Sequence, residues 1–375
     1  MRVIRHAKVY GEDHRFHEGD LYMDGERLCP VSDQPVEEEH DANGLYALPG
    51  LVDLHFHGAV GHDLCDADEA GLQAIADFEA QHGILAICPA TMTYPETVLS
   101  TIMRSAADHV NGHGADLVGI NMEGPFISPK KVGAQDPRHV TRADKAMFDR
   151  LQAASNGLIK LVDIAPEMPG HLDFIREVSA YVRVSLAHTE TTYETAVEAF
   201  RAGAKQLTHT YNAMPALESR KPGPIAAAAE CGGDAELITD GIHIHPAMVR
   251  LLFKLFGPEH MLLISDSMRA CGLPDGEYTL GGQAVTVCGK RAVLTDYPGV
   301  IAGSVTCLYD CMKESVLKMD IPLEDAVRAA SENPAKALGI DADYGQLKAG
   351  TYANVLLTDR ELNLKAIFQK GQRIK

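Results

Sequence analysis

The sequence predicts an α/β protein built on a TIM (β/α)8 barrel, and three observations carry that expectation. From about residue 50 to 270, short apolar runs alternate with longer helical patterns, the rhythm of a parallel α/β fold. Eight such runs fit into the roughly 250 residues a TIM barrel takes. Chemistry-bearing polar residues stand at the C-terminal ends of these runs. A barrel gathers those ends at one mouth, whereas an open doubly wound sheet would spread them along an edge.

The runs, in order, are "LVDLHFH" (51–57), "ILAICPAT" (84–91), "LVGINMEG" (117–124), "LIKLVDIAPE" (158–167), "VRVSLAHT" (182–189), "QLTHTYN" (206–212), "AELITDGIH" (235–243) and "MLLISDSM" (261–268). Helical patterns such as "EAGLQAIADFEAQHG" and "TTYETAVEAFRAGA" separate them, several closing on glycine as helix ends do. After the eighth run, "GLPDGEYTLGGQAVTV" predicts a β-hairpin insertion near 272–303, and "GSVTCLYDCMKESVLKM" the last barrel helix. Both chain ends are strand-rich. Residues 1–48 and 341–375 are therefore expected to join as a small β-sandwich domain, with the barrel spanning 49–340.

Composition narrows the function classes. The 375 residues carry a formal charge of -18, which argues against a nucleic-acid binder, since such proteins present clustered Lys and Arg. No stretch approaches a membrane span, and "MRVIRHAKVYGEDHRF" lacks the apolar core of a signal peptide. Eight cysteines without a CxxC pair read as reduced thiols of a cytoplasmic protein.

In "LPGLVDLHFHG", His55 and His57 stand two apart where the first run ends, so on a strand both rings share a face. Glu123, His188, His209 and Asp266 end other runs. A lone strand histidine is usually a core residue, but six nitrogen and oxygen donors at strand ends are costly to bury without a partner. One or two divalent ions would satisfy them, with zinc, iron, manganese and cobalt all suited to such ligands.

The motifs "PGLVDLHFHG", "MEGPFISPKKVGAQDP", "IAPEM", "THTYNAMP", "DGIHIHP", "SDSMRACGLPDGEYTLGG" and "NPAKALG" span residues 48–350. In this order they resemble the amidohydrolase superfamily and, within it, the N-acetylglucosamine-6-phosphate deacetylases. The resemblance implies metal-dependent hydrolysis of the acetamide of N-acetyl-D-glucosamine 6-phosphate, giving glucosamine 6-phosphate and acetate in amino-sugar catabolism. It implies one ion on Glu123, His188 and His209, and a second on His55 and His57, with Glu123 and Asp266 near both. Asp266 would act as general base toward water and then as general acid toward the sugar nitrogen.

Substrate contacts implied by the same resemblance are Asn212, Ala213, Arg220, Asp240 and His243, together with a loop at Ile301, Ala302 and Gly303. Ala134 and Gln135 occupy a stretch where some relatives have His in place of the glutamine. Arg220 would meet the phosphate, in relatives across a dimer interface. Alternatives remain open: the galactosamine epimer, another N-acyl substrate, or a metal-free scaffold. A carbamylated lysine is a further option, but Lys160 precedes the fourth run's apolar centre. His62, His82 and His245 are read as structural, Cys65 as a packed thiol, and Glu37-Glu38-Glu39 as a solvated turn.

Overall fold

The computed structural model describes residues 1–31 and 35–375. Eight parallel strands follow one another around a curled sheet: β1 Leu51–Asp53, β2 Ile84–Ile87, β3 Ile120–Met122, β4 Ile159–Ile164, β5 Arg183–Leu186, β6 Gln206–Leu207, β7 Asp234–Ile238 and β8 Met261–Ile264. Each falls inside a run read from the sequence or begins one residue ahead of it, and most stop short of the run's end. The third barrel strand is broken: Asp116–Leu117 pairs with β2, while β3 pairs with β4. A bridge between Ala90 and Asn121 joins the two halves. Hydrogen bonds from Asp266 N to His55 O (3.0 Å) and from His57 N to Ser267 O (2.7 Å) link the eighth strand back to the first.

A helix follows each strand, and local chemistry sets several of the starts. Asp68 accepts from Gly71 N ahead of Glu69–Gln81, Asp144 from Ala146 N and Met147 N ahead of Lys145–Ala154, and Thr192 from Thr195 N ahead of Tyr193–Ala202. These side chains satisfy amide groups that have no partner inside the helix. Strands β1, β2 and β8 are buried at every position, as expected where helices cover one face and the barrel interior the other.

Two details differ from the sequence reading. The insertion after β8 has three antiparallel strands, Gly276–Leu280, Gln283–Cys288 and Arg291–Leu294, rather than one hairpin. Its Leu280, Val285 and Leu294 pack with Met92 and Met268, so the third strand adds apolar area against the barrel. The acidic run is not a turn: Glu38–Asp41 is a short exposed strand in which Glu38 pairs with Arg2 and Glu39 with Arg5. These carboxylates stay exposed while pairing with arginines of the strand Arg2–Tyr10, which runs beside them.

Strands from both chain ends share one eight-stranded sheet, in which Val355–Thr358 pairs antiparallel with Tyr46–Pro49. Its apolar side, with Ile4, Leu21, Met23, Val355 and Phe368, forms a separate buried cluster. No helix among the described residues is long and apolar enough to cross a membrane.

Candidate metal centre

The six residues singled out at strand ends converge. His55, His188, His209 and Asp266 each lie two residues past a strand's last residue, and Glu123 lies one past. His188, His209 and Asp266 adopt positive φ of 44°, 28° and 47°. These non-glycine residues pay strain for that conformation, a cost found mainly where function requires it. The turn swings each side chain into the barrel mouth as the strand stops.

Glu123 is the hub. Its Oε1 lies 3.0 Å from His188 Nε2, 3.1 Å from His209 Nε2 and 3.7 Å from His55 Nε2, while Oε2 lies 3.4 Å from His57 Nε2. His188 Nε2 and His209 Nε2 are themselves 3.1 Å apart. Donors held about 2.0–2.1 Å from a common tetrahedral ion stand roughly 3.3 Å apart, so this triangle is sized for one. On the other side, Asp266 Oδ1 lies 3.3 Å from His57 Nε2 and 3.9 Å from His55 Nε2. His55 Nε2 is buried without any hydrogen-bond partner. The residues therefore fit a divalent metal, with two ligand groups that share no residue, Glu123, His188 and His209, and His55, His57 and Asp266, and a third, His55, Glu123 and Asp163, that overlaps both.

Supporting contacts orient the rings. His188 Nδ1 donates to Lys131 O at 2.8 Å, leaving Nε2 free as a ligand. His55 Nδ1 lies 3.0 Å from Glu236 Oε2, which also accepts from His209 N at 3.0 Å. Burial works against the charge on Glu123, but the surrounding imidazoles of His188, His209 and His55 outweigh it and hold the carboxyl well below its usual range. Asp266 is likewise penalised by burial and then held below its ordinary value by His57 and His55.

A cavity of about 440 Å³ opens over the centre, lined by His57, Glu123, His188, His209 and Asp266 at its floor. Ala134, Gln135, Asn212, Ala213, His243, Ile301 and Gly303 form its walls. Gln135 is committed at both ends: its Nε2 donates to Glu123 Oε2 at 2.7 Å and its Oε1 accepts from Thr93 N at 2.7 Å. Asp240 and Ala302 are buried behind the wall. Asp240 accepts from His243 Nδ1 at 2.8 Å and raises the imidazole pKa against the opposing effect of burial.

Arg220 is exposed and outside the cavity of its own chain. The fixed cations lining the cavity are instead Lys130 and Lys131, which the sequence reading passed over although both stand in "SPKKVGAQ". Glu236 and Asp163 were also missed. Each is an acidic residue flanked on both sides by apolar ones, a signal that a buried charge has a job.

Other residues sit away from the centre. Lys160 is the second residue of β4, at the end opposite the mouth. His245 caps the helix Pro246–Phe256, accepting from Ala247 N, and His82 Nδ1 bonds Phe78 O. Cys65 Sγ accepts from Met92 N, and burial pushes its thiol pKa up.

Metal-ligating residues gathered at the C-terminal mouth of a parallel barrel stand where barrel enzymes carry their active sites, with a donor set suited to metal-assisted hydrolysis. The chain belongs to the Amidohydrolase family, which matches over residues 46–374. It is 36% identical to N-acetylglucosamine-6-phosphate deacetylase from Bacillus subtilis, over 98% of this chain and 96% of that one. It is 34% identical to N-acetylgalactosamine-6-phosphate deacetylase from Escherichia coli O157:H7, over 99% and 98%. The crystal structure of N-acetyl-D-glucosamine-6-phosphate deacetylase from Mycobacterium smegmatis superposes with a TM-score of 0.92 at 29% identity, covering all of both chains.

Proposed function

We propose that this chain is a metal-dependent deacetylase of N-acetyl-D-glucosamine 6-phosphate, releasing acetate and glucosamine 6-phosphate. One observation carries the reading: a single buried carboxylate, Glu123, meets four imidazoles beneath a sugar-sized cavity with Asp266 at its floor. Its B. subtilis relative bears the name of this activity.

When bound, a divalent ion acidifies water and polarises the acyl oxygen. Asp266 takes the proton of the attacking water and returns it to the sugar nitrogen as the C–N bond breaks, so that the leaving group departs as a neutral amine. Gln135 holds Glu123 in place through one N–H of its amide, and the second N–H is left to face the cavity it lines. His243, hydrogen-bonded to Asp240, and Asn212 line the wall where the sugar phosphate lies. The loop at Ile301, Ala302 and Gly303 covers it.

The same reading divides the chain into a small β-domain of residues 1–48 and 341–375 and a barrel of 49–340. It includes a cytoplasmic location, supported by eight unpaired thiols, and a homodimer, supported by the exposure of Arg220 away from its own cavity.

The test is acetate release from a panel of N-acetyl-glucosamine and N-acetyl-galactosamine, each with and without 6-phosphate, by metal-loaded protein. Preferred turnover of the phosphorylated glucosamine substrate is expected. Faster turnover of the galactosamine epimer would reassign the substrate, and no release from any member would overturn the reading.

A further inference from the structure

Asp163 sits inside β4, fully buried. Its Oδ1 accepts from Thr208 Oγ1 at 2.8 Å, whereas Oδ2 has no partner. His55 Nε2, equally buried, is also without one. Ligand atoms of His55, Glu123 and Asp163 all lie within 4.8 Å of one another, and this trio overlaps the group His55, His57 and Asp266 through the shared imidazole. An unpaired carboxylate oxygen and an unpaired imidazole nitrogen belonging to one interior cluster are both costly, and one cation satisfies both.

We infer that Asp163 is an additional carboxylate ligand of the ion held at His55. The donors the geometry groups with Asp163 are one imidazole, His55, and one further carboxylate, Glu123. That trio is rich in oxygen, which shifts preference toward manganese-like ions over zinc. The inference rests on the metal-binding reading of the site and is independent of the substrate.

The experiment strips the full-length protein with a chelator and titrates wild type and Asp163→Asn with Mn2+ and with Zn2+ by calorimetry. Asparagine keeps the side-chain volume and can still accept from Thr208. Mn2+ binding at the His55 position is expected to weaken about tenfold or more in the variant, with a smaller change for Zn2+. Independently of the variant, anomalous diffraction from wild-type crystals grown with Mn2+ is expected to place an ion within about 2.0–2.2 Å of Asp163 Oδ2. Unchanged Mn2+ affinity in a folded variant, or ion density out of reach of Asp163, overturns the assignment while leaving the deacetylase reading intact. Absence of any ion uptake by wild type overturns it together with the metal centre.

Discussion

His55 Nδ1 and Glu236 Oε2 stand 3.0 Å apart, with neither side chain exposed to solvent. Glu236 already accepts from His209 N and from Gln206 Nε2, so the imidazole donates to it, and Nε2 is left as the free ligand atom. Replacing Glu236 by Gln removes the charge that enforces this tautomer. Metal affinity at the His55 position should fall about 10–100-fold while the circular dichroism spectrum is retained. Calorimetric titration showing wild-type affinity would refute the positioning role.

Asp266→Asn tests the proton transfer. The amide keeps the shape but cannot accept the proton, so kcat should drop by about a hundredfold or more, with most of the bound metal retained by elemental analysis. Near-normal turnover would remove Asp266 from the reaction.

Metal stoichiometry tests the partition of ligands. Wild type should hold up to two ions per chain. The double variant His55→Asn, His57→Asn should lose one and keep the ion on Glu123, His188 and His209. Loss of both on the same elemental analysis would mean that the two groups are one interdependent site.

Phosphate recognition separates Lys131 from Arg220. Lys131→Ala preserves the carbonyl that holds His188 but removes a cation from the cavity wall. A charge-assisted contact is worth roughly 1.5–3 kcal/mol, about one to two orders of magnitude in kcat/KM. That loss is expected on phosphorylated substrate and not on plain N-acetylglucosamine. Arg220→Ala should show the same selectivity only if the residue reaches a neighbouring subunit. In that case, mixing it with Asp266→Asn chains restores part of the activity through hybrid dimers. Equal losses on both substrates would make these residues structural.

His171 makes stability depend on pH away from the metal centre. Its Nε2 accepts from Ala143 N and its Nδ1 donates to Ala165 O, both at 2.8 Å, so the fold needs a neutral ring. Burial is the main cause of a pKa lowered from 6.5 to about 4. The unfolded chain takes up the proton first as pH falls. The stabilisation is therefore complete above pH 6.5 and is lost as pH drops toward 4, by about 3 kcal/mol in all. His171→Gln should be less stable at pH 8 and should lose less between pH 6.5 and 4 in urea melts. Parallel pH profiles for variant and wild type would contradict this.

The strands were legible because apolar runs of a few residues between glycine-closed helical patterns admit few other readings. Their ends were less so. The sequence reading carries the first strand through His57, whereas β1 stops at Asp53 and the chain bends at His55, where the two histidines bond to Asp266 and Ser267 beyond the end of β8. Arg220 lies in the loop after β6, exposed and outside the cavity of its own chain, because a loop's direction depends on packing that no local pattern encodes. Glu236 and Asp163 each look like one more polar residue of a strand that already carries a charge, Asp234 in β7 and Lys160 in β4, until those strands are set beside their neighbours.

By itself, the sequence determined the order of strands and helices, the donor types and their placement near strand ends, because side-chain period and capping chemistry are local. Only the tertiary structure decided which donors meet. His55 and Glu236 are 181 residues apart, and their contact exists because the eighth strand closes onto the first and carries every strand end to one mouth. The angles at which those ends turn inward, set by the left-handed backbone at His188, His209 and Asp266, are strain that the closed barrel sustains and a short peptide would relax.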